Sequence, residues 1–147
     1  MDAFPNGMLD SLIKFLESLP EADRIEAVNE ARARIHAISP MKHEPVDFVR
    51  WVKADSVRAN DYNPNAVAPP EMKLLEHSIS EDGYTQPIVT WTDDDGYEVI
   101  DGFHRHRVGK ESIAVAARIN GYLPIVVANA DRIDRGDNGL RISILGN

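Results

Sequence analysis

The chain has no cysteine, which excludes disulfides, thiol nucleophiles and thiolate metal sites. It has no apolar run near the roughly 20 residues that a bilayer crossing requires. Its start, Met1-Asp2-Ala3-Phe4-Pro5, lacks the basic opening and apolar stretch of a secretory signal. The expectation is a cytoplasmic protein that does not engage a membrane. Positive charge is short too: 16 Lys and Arg stand against 24 Asp and Glu, a net charge of −8. Binding a DNA backbone depends on Lys and Arg displacing condensed cations, so an acidic chain starts at a disadvantage there. Repeats and low-complexity tracts are absent.

What remains is ordinary for a folded protein. The chain has 147 residues, 43% hydrophobic and 27% charged, enough for one domain with a short appendage. The first forty residues read as a helical hairpin. Met8, Leu9, Leu12, Ile13, Leu16 and Leu19 recur at three- and four-residue spacing. Ser18-Leu19-Pro20-Glu21 has the spacing of a capping box with proline near the new helix start. The second helix runs to about Ile38, with Ile25, Val28, Ala31 and Ile35 as its inner positions, and Ser39-Pro40 stops it. The hairpin's apolar stripe suits packing on its own domain by default, with a homodimer or another partner as the alternatives.

From Val46 the pattern changes, and a second domain is expected over residues 46–147. Residues 48–53 alternate as a strand, and residues 60–70 are rich in turn formers. Pro70 opens a helix that buries Met72, Leu75 and Ile79 and ends at Gly83. Strands at residues 87–91 and 97–100 flank Thr92-Asp93-Asp94-Asp95-Gly96, whose Asp-Gly marks a hairpin turn. A helix follows Gly102, a strand covers residues 122–128, and a helix is expected from Ala130. This order makes a mixed α+β fold. The three aspartates have metal-like chemistry, but the hairpin turn is the favoured reading.

One segment carries chemistry: Val99-Ile100-Asp101-Gly102-Phe103-His104-Arg105-His106-Arg107. An apolar strand runs into Asp-Gly, and basic residues begin at once. A helix N-terminus offers unpaired N–H groups and a partial positive charge, which suit a phosphate. Gly102 lets the backbone turn sharply and approach a ligand closely. Arg105 can fork onto phosphate oxygens, with His104 or Arg107 adding donors. Asp101 can hold a magnesium ion or accept a proton from a hydroxyl. Plainer readings stand beside these. The basic residues can form a solvated face, His106 and Arg107 can point outward, Phe103 suits the core better than a ligand, and Asp101 can be an N-cap. Concentrated basic charge in an acidic chain (Arg105, Arg107 and Lys110, with His104 and His106 between) favours a small anion over a long polyanion.

At these residues the sequence resembles the ParB/sulfiredoxin superfamily, whose phosphate box is a Gly-x-x-Arg segment after a strand. Gly83-Tyr84-Thr85-Gln86-Pro87-Ile88-Val89 is similar to the glycine and Gln-Pro strand that precede that box. Asp61-Tyr62-Asn63-Pro64-Asn65 looks like the Asn-Pro loop near the start of ParB-type domains. The resemblance covers residues 46–147 and implies a mixed sheet with packed helices. It also implies a nucleotide ligand, ATP or CTP as the triphosphate or diphosphate, with Mg2+. Gly102, Phe103, His104, Arg105 and Arg107 would grip phosphates, with Thr85 and Gln86 near the base or sugar.

Superfamily members differ in activity. ParB proteins bind and hydrolyse CTP, sulfiredoxins transfer ATP phosphate to an oxidised cysteine, and some relatives phosphorylate serine. Phe103 stands where sulfiredoxin has its catalytic cysteine, so that activity is excluded. Asp101 and His104 are the candidates for a catalytic role in a nucleotide hydrolase or small-molecule kinase, although no residue matches the serine-kinase glutamate. The IbrB-like group is the nearest in general likeness, through residues 101–109 and Gly121-Tyr122-Leu123-Pro124-Ile125-Val126-Val127. It implies a co-activator of prophage gene expression with a PAPS reductase-like partner. Asn138-Gly139-Leu140-Arg141 has the spacing of an Asn-x-x-Arg nucleotide segment or of a plain turn. ParB proteins continue into a helix-turn-helix where this chain stops, so it is either a fragment or lacks that DNA-reading half. A DNA-binding or nuclease protein is the third reading.

Overall fold

The computed structural model describes residues 3–59 and 69–129, and the chain divides into two compact units, residues 1–42 and 43–147. The first unit holds α1 (Met8–Glu17) and α2 (Glu21–Ala37). Gly7 opens α1 in the left-handed region, φ 83°. Arg24 closes it, donating from Nη2 to the carbonyls of Glu17 at 3.0 Å and Leu19 at 3.1 Å. The Glu17 carbonyl is one that a helix end leaves without a partner, and Leu19 lies in the turn that follows. Neither helix has a fully buried residue. Of the inner positions expected in α2, Ile25, Val28 and Ala31 are half-buried, whereas Ile35 is exposed.

Among the described residues the second unit is a five-stranded mixed sheet with three α-helices. In chain order it has β1 (Arg50–Lys53), β2 (Val57–Ala59), α3 (Pro69–Asp82), β3 (Ile88–Asp93) and β4 (Gly96–Asp101). Then follow α4 (Phe103–Glu111), α5 (Ile113–Arg118) and β5 (Tyr122–Val127). The strands lie in the order β1-β5-β3-β4-β2. β3 and β4 form an antiparallel hairpin with Thr92 opposite Tyr97. β5 runs parallel to β3, Ile125 opposite Ile88, and β2 parallel to β4, Val57 opposite Tyr97. β1 closes the other edge antiparallel to β5. Pro124 lies opposite Trp51 of β1, one position before the β3 ladder begins at Ile125. Its missing N–H therefore breaks no bond to β3.

The aspartate run makes the expected turn: the N–H of Asp95 donates to Oδ1 of Asp93 at 2.9 Å, an Asx arrangement. Arg58 of β2 pairs with Asp93 and lies 3.8 Å from Asp95, so these carboxylates serve the sheet edge. Among the described residues no group of three or more acidic or histidine side chains could hold a metal ion. No helix among them is long and apolar enough to cross a membrane. The turn-rich stretch 60–68, the helix expected from Ala130 and the segment 138–141 lie outside the described residues.

Two core clusters sit between sheet and helices. Val57, Ile88, Val99, Leu123 and Ile125 form the first, with Phe103 and Ile119 packed on it. Ile79, Val108 and Val115 form the second, joined by Met72, Leu75 and Tyr84, and Ile119 touches both. Met72, Leu75 and Ile79 are thus the inner face of α3, and Gly83 ends that helix at φ +80°. Two elements go beyond the sequence expectation. The strand expected over residues 48–53 begins only at Arg50, and β2 follows it after a turn of 3-10 helix at Ala54–Ser56. The helix after Gly102 breaks at Ser112, whose side chain accepts from the N–H of Val115 at 3.2 Å and caps α5.

Helix α4 is held down at two places. Gly109 is buried, and a Cβ there would collide with the Tyr84 hydroxyl and with Cδ2 of Leu123. His106, only 4% exposed, reaches the Val57 carbonyl with Nε2 at 3.1 Å, and Nζ of Lys110 donates to the same oxygen at 3.3 Å. The outward option for His106 is therefore corrected: it faces β2. Burial pushes the His106 imidazole below its ordinary value; the Val57 bond and Glu111 oppose that shift and Lys110 adds to it.

Two outcomes follow for stability. Gly109→Ala will lower the unfolding free energy in urea by about 1–3 kcal/mol, the cost of overpacking, despite the better helix propensity of alanine. An unchanged midpoint would show that α4 does not need this approach. His106 keeps its neutral form more strongly when folded, so the unfolded chain binds the proton first. Its stabilisation is complete above the unfolded value of about 6.5 and drains as pH falls towards the lower folded value. Denaturation measured from pH 7 down to 5 will show this loss in the wild type and a shallower one in His106→Gln. Equal slopes would remove His106 as the cause.

Candidate functional site

β4 ends at Asp101, and the chain turns into α4 through a single residue. Gly102 takes φ 90° and ψ 31°, a left-handed conformation that side-chain-bearing residues rarely adopt. It also leaves room for Arg105, because a Cβ at position 102 would lie 2.7 Å from Nη2 of that arginine. The guanidinium thus folds back over the turn that begins its own helix. Nη2 donates to the Pro87 carbonyl at 3.3 Å. Nε is buried with no hydrogen-bond partner.

The first turn of α4 is electrostatically unusual. No side chain caps it and it holds no acidic residue. The first bond of the helical ladder is from the N–H of His106 to the Gly102 carbonyl, 2.9 Å, so the N–H groups of Phe103, His104 and Arg105 precede it. A helix start carries about half a positive charge and is stabilised by anions. Here it carries His104 and Arg105 instead. Asp101, exposed at the strand end, accepts the Gly102 N–H on Oδ1 at 2.9 Å, and this is the only carboxylate bond at the turn among the described residues.

The loop between α3 and β3 borders this turn on two sides. The Tyr84 hydroxyl donates to the Arg105 carbonyl at 2.7 Å, and Pro87 accepts from the Arg105 side chain. Thr85 and Gln86 lie between those two contacts in the chain, both exposed. Burial pushes the Tyr84 hydroxyl up to about 12, with the Arg105 charge pulling the other way, so Tyr84 stays a donor at neutral pH. Its ring meets Trp51 edge-on, with centroids 6.5 Å apart.

The seven expected residues do not share one environment. Gly102, His104 and Arg105 form the turn, with the Thr85 and Gln86 loop beside it. Phe103 turns its side chain into the core. Arg107 is exposed and pairs with Glu111 one helical turn away, Nε to Oε2 at 2.7 Å. Tyr84 and the Pro87 carbonyl were not singled out from the sequence as site groups. The pairing of Gly83 with a following aromatic, and the glycine inside α4, were the available signals for that packing.

With the geometry in place, comparison with known proteins identifies its relatives. A model of the ParB N-terminal domain matches residues 36–133, about two thirds of the chain. The uncharacterized Escherichia coli (strain K12) protein YbdM is 52% identical over 135 residues, which cover 91% of this chain and 65% of YbdM. The chain thus spans a little under two thirds of that relative's length. Among solved structures, the C-terminally truncated chromosome-partitioning protein ParB from Caulobacter crescentus, complexed with CTP-gamma-S, is similar at TM-score 0.51 and 24% identity. That match covers 67% of this chain and 52% of ParB. Sulfiredoxin from Arabidopsis thaliana aligns at TM-score 0.46 and 15% identity, covering 65% of this chain and 96% of its own. The chain belongs to the ParB N-terminal domain family.

Proposed function

We propose that this ParB-like module binds a nucleotide, with its phosphates seated on the first turn of α4. The observation that carries this reading is the Arg105 guanidinium, folded over an uncapped helix start with a buried, unpartnered Nε. A cation there opposes the helix dipole, and a buried donor without an acceptor costs about 1–3 kcal/mol. A phosphate relieves both. It would accept from the free backbone N–H groups and from the guanidinium, with His104 as a further donor, whereas Arg107 is engaged with Glu111 away from this turn. Thr85 and Gln86 are the polar side chains nearest in the chain to Arg105's loop contacts, and they would meet the sugar or base. The similar ParB from Caulobacter crescentus is complexed with CTP-gamma-S, which makes CTP the first nucleotide to test, with ATP beside it.

The donor set also bears on Mg2+. Asp101 is one exposed carboxylate, and among the described residues no acidic or histidine cluster could hold a metal ion, which fits a magnesium held mainly by phosphate oxygens and water with one protein ligand. Bound there, the ion would offset phosphate charge. Within the family the finer reading is an IbrB-like co-activator of prophage gene expression, supported by the likeness at residues 101–109 and 121–127. Its partner would be a PAPS reductase-like protein.

A thermal-shift panel of CTP, ATP, ADP, GTP and PAPS with magnesium tests the site, since a ligand of the native state raises the melting temperature. One nucleotide will stabilise the wild type, and Arg105→Ala will weaken its affinity by about 1.5–3 kcal/mol, as for a charged hydrogen bond. No shift with any nucleotide, or equal affinity in the variant by calorimetry, would defeat the reading. Asp101→Asn separates binding from turnover. A phosphotransferase or hydrolase loses phosphate release in this variant while it keeps the thermal shift. A pure binding module shows no release above background with either protein.

A further inference from the structure

Arg105 carries the proposed site, yet its side chain does little to hold itself over Gly102. Its Nη2 bond to the Pro87 carbonyl is 3.3 Å, beyond the usual limit of about 3.2 Å for N–H···O. An arginine side chain has several rotatable bonds to freeze, so a long bond at its tip is a weak restraint. That restraint is also only as good as the placing of Pro87, which belongs to the loop between α3 and β3. The loop is pinned at its start. Arg118 of α5 donates from Nη1 to the Ser80 carbonyl at 2.9 Å, and its Nη2 would lie 3.1 Å from a Cβ on Gly83. Gly83 itself donates to the Ile79 carbonyl at 2.8 Å. Ile88, fully buried in the first core cluster, pins the other end.

Between those pins Tyr84 ties the loop to α4, its hydroxyl donating to the Arg105 carbonyl at 2.7 Å. Loop and residue 105 therefore hold each other twice, in opposite directions. A loop side chain grips the helix backbone, and a helix side chain grips the loop backbone. Two such points fix an orientation where one fixes only a distance. The hydroxyl is not there to satisfy an orphan carbonyl. Arg105 lies within α4, where the helical ladder already brings its carbonyl the N–H of residue 109. Packing does not ask for the hydroxyl either, since the ring could lie against Ile79, Val108 and Val115 without it. Yet α4 carries a glycine at position 109, a poor helix former, and a Cβ there would collide with the Tyr84 oxygen. The missing side chain is what admits the hydroxyl to the Arg105 carbonyl.

We propose that Tyr84 is a positioning residue for this site: its hydroxyl, admitted by Gly109, sets the Arg105 guanidinium over Gly102 to meet a phosphate group. The phosphate half of this rests on the nucleotide reading, and the coupling of Tyr84 to Arg105 does not. Tyr84→Phe keeps the ring and removes the hydroxyl. Without ligand, NMR of the isotope-labelled full chain will show the buried Arg105 Nε–H, the signal missing from Arg105→Ala. In Tyr84→Phe it will exchange with water about three- to tenfold faster, the loss of one hydrogen bond, and it will change more than the amides of β5 do. Gly109→Ala, which displaces the hydroxyl, will do the same. With CTP and magnesium, calorimetry will read a dissociation constant raised by about the same factor in Tyr84→Phe. In an Arg105→Ala background the same change will leave CTP affinity where it is, because the group that Tyr84 places is gone. A merely structural tyrosine would weaken binding alike in both backgrounds, and that result would overturn the proposal. So would equal Arg105 Nε–H exchange in the wild type and Tyr84→Phe. A wild type that ignores CTP and ATP while the exchange difference appears would defeat the nucleotide reading and leave Tyr84 as the residue that places Arg105.

Discussion

The close approach of α4 to the sheet is the constraint on which the second unit rests. Gly109 has no side chain because Tyr84 and Leu123 occupy the space a Cβ would need. That fit brings the Val108 side of the helix onto Ile79 and Val115. The same seating carries His106 to the Val57 carbonyl, tying β2 to the helix layer as well as to β4. With its far half fixed, α4 has one place to begin, directly after β4, and one residue in which to turn. Gly102 makes that turn. Tyr84 then serves twice, packing against Gly109 with its ring end and holding the Arg105 carbonyl with its hydroxyl. The stability of the fold and the geometry of the site are therefore the same set of contacts.

Much of this architecture is legible in the sequence because it is local. The Asp-Gly turn between β3 and β4, the glycine ending α3 and the strand-glycine-helix order at Asp101 and Gly102 each depend on a few adjacent residues. What is not legible depends on distant ones. β2 is only Val57–Ala59, too short for alternation to show, and it exists because parallel pairing with Tyr97, Glu98 and Val99 makes it a strand. The order of strands in the sheet has no local signal. The break at Ser112 was hidden because the apolar and basic residues on either side fit one helix. A capping serine inside that run marks it, once the packing of Val115 requires a new helix axis.

The basic run is where sequence and structure differ most usefully. Five basic residues within 104–110 read as one patch of charge. In the fold they separate into individual roles. His106 is buried on Val57, Lys110 shares that carbonyl, and Arg107 pairs with Glu111. An i, i+4 pair at the surface is worth only a few tenths of a kcal/mol, yet it turns Arg107 along the helix flank, away from the first turn. Only His104 and Arg105 remain at the helix start. Helical periodicity contained this division, since residues 106 and 110 fall on one face and 107 and 111 on another.

That division bears on which kind of anion the proposed site would take. A polyanion needs many cations spread along a surface, each releasing a counterion, whereas of the five basic residues within 104–110 only His104 and Arg105 stand at this turn. One guanidinium and three backbone N–H groups at a single turn, with His104 among its residues, would match the oxygens of one or two phosphate groups. The dipole term is small, about 0.3–1 kcal/mol at an exposed helix end, so it cannot hold a ligand alone. The larger contribution comes from Arg105, already desolvated on Nε and already folded over Gly102. Its ordering cost is met within the fold before any ligand arrives, by the Pro87 carbonyl and the space that a missing side chain leaves at position 102. Preorganisation of this kind favours a compact, highly charged group over an extended one, because only a compact group meets every donor without moving the loop at Tyr84.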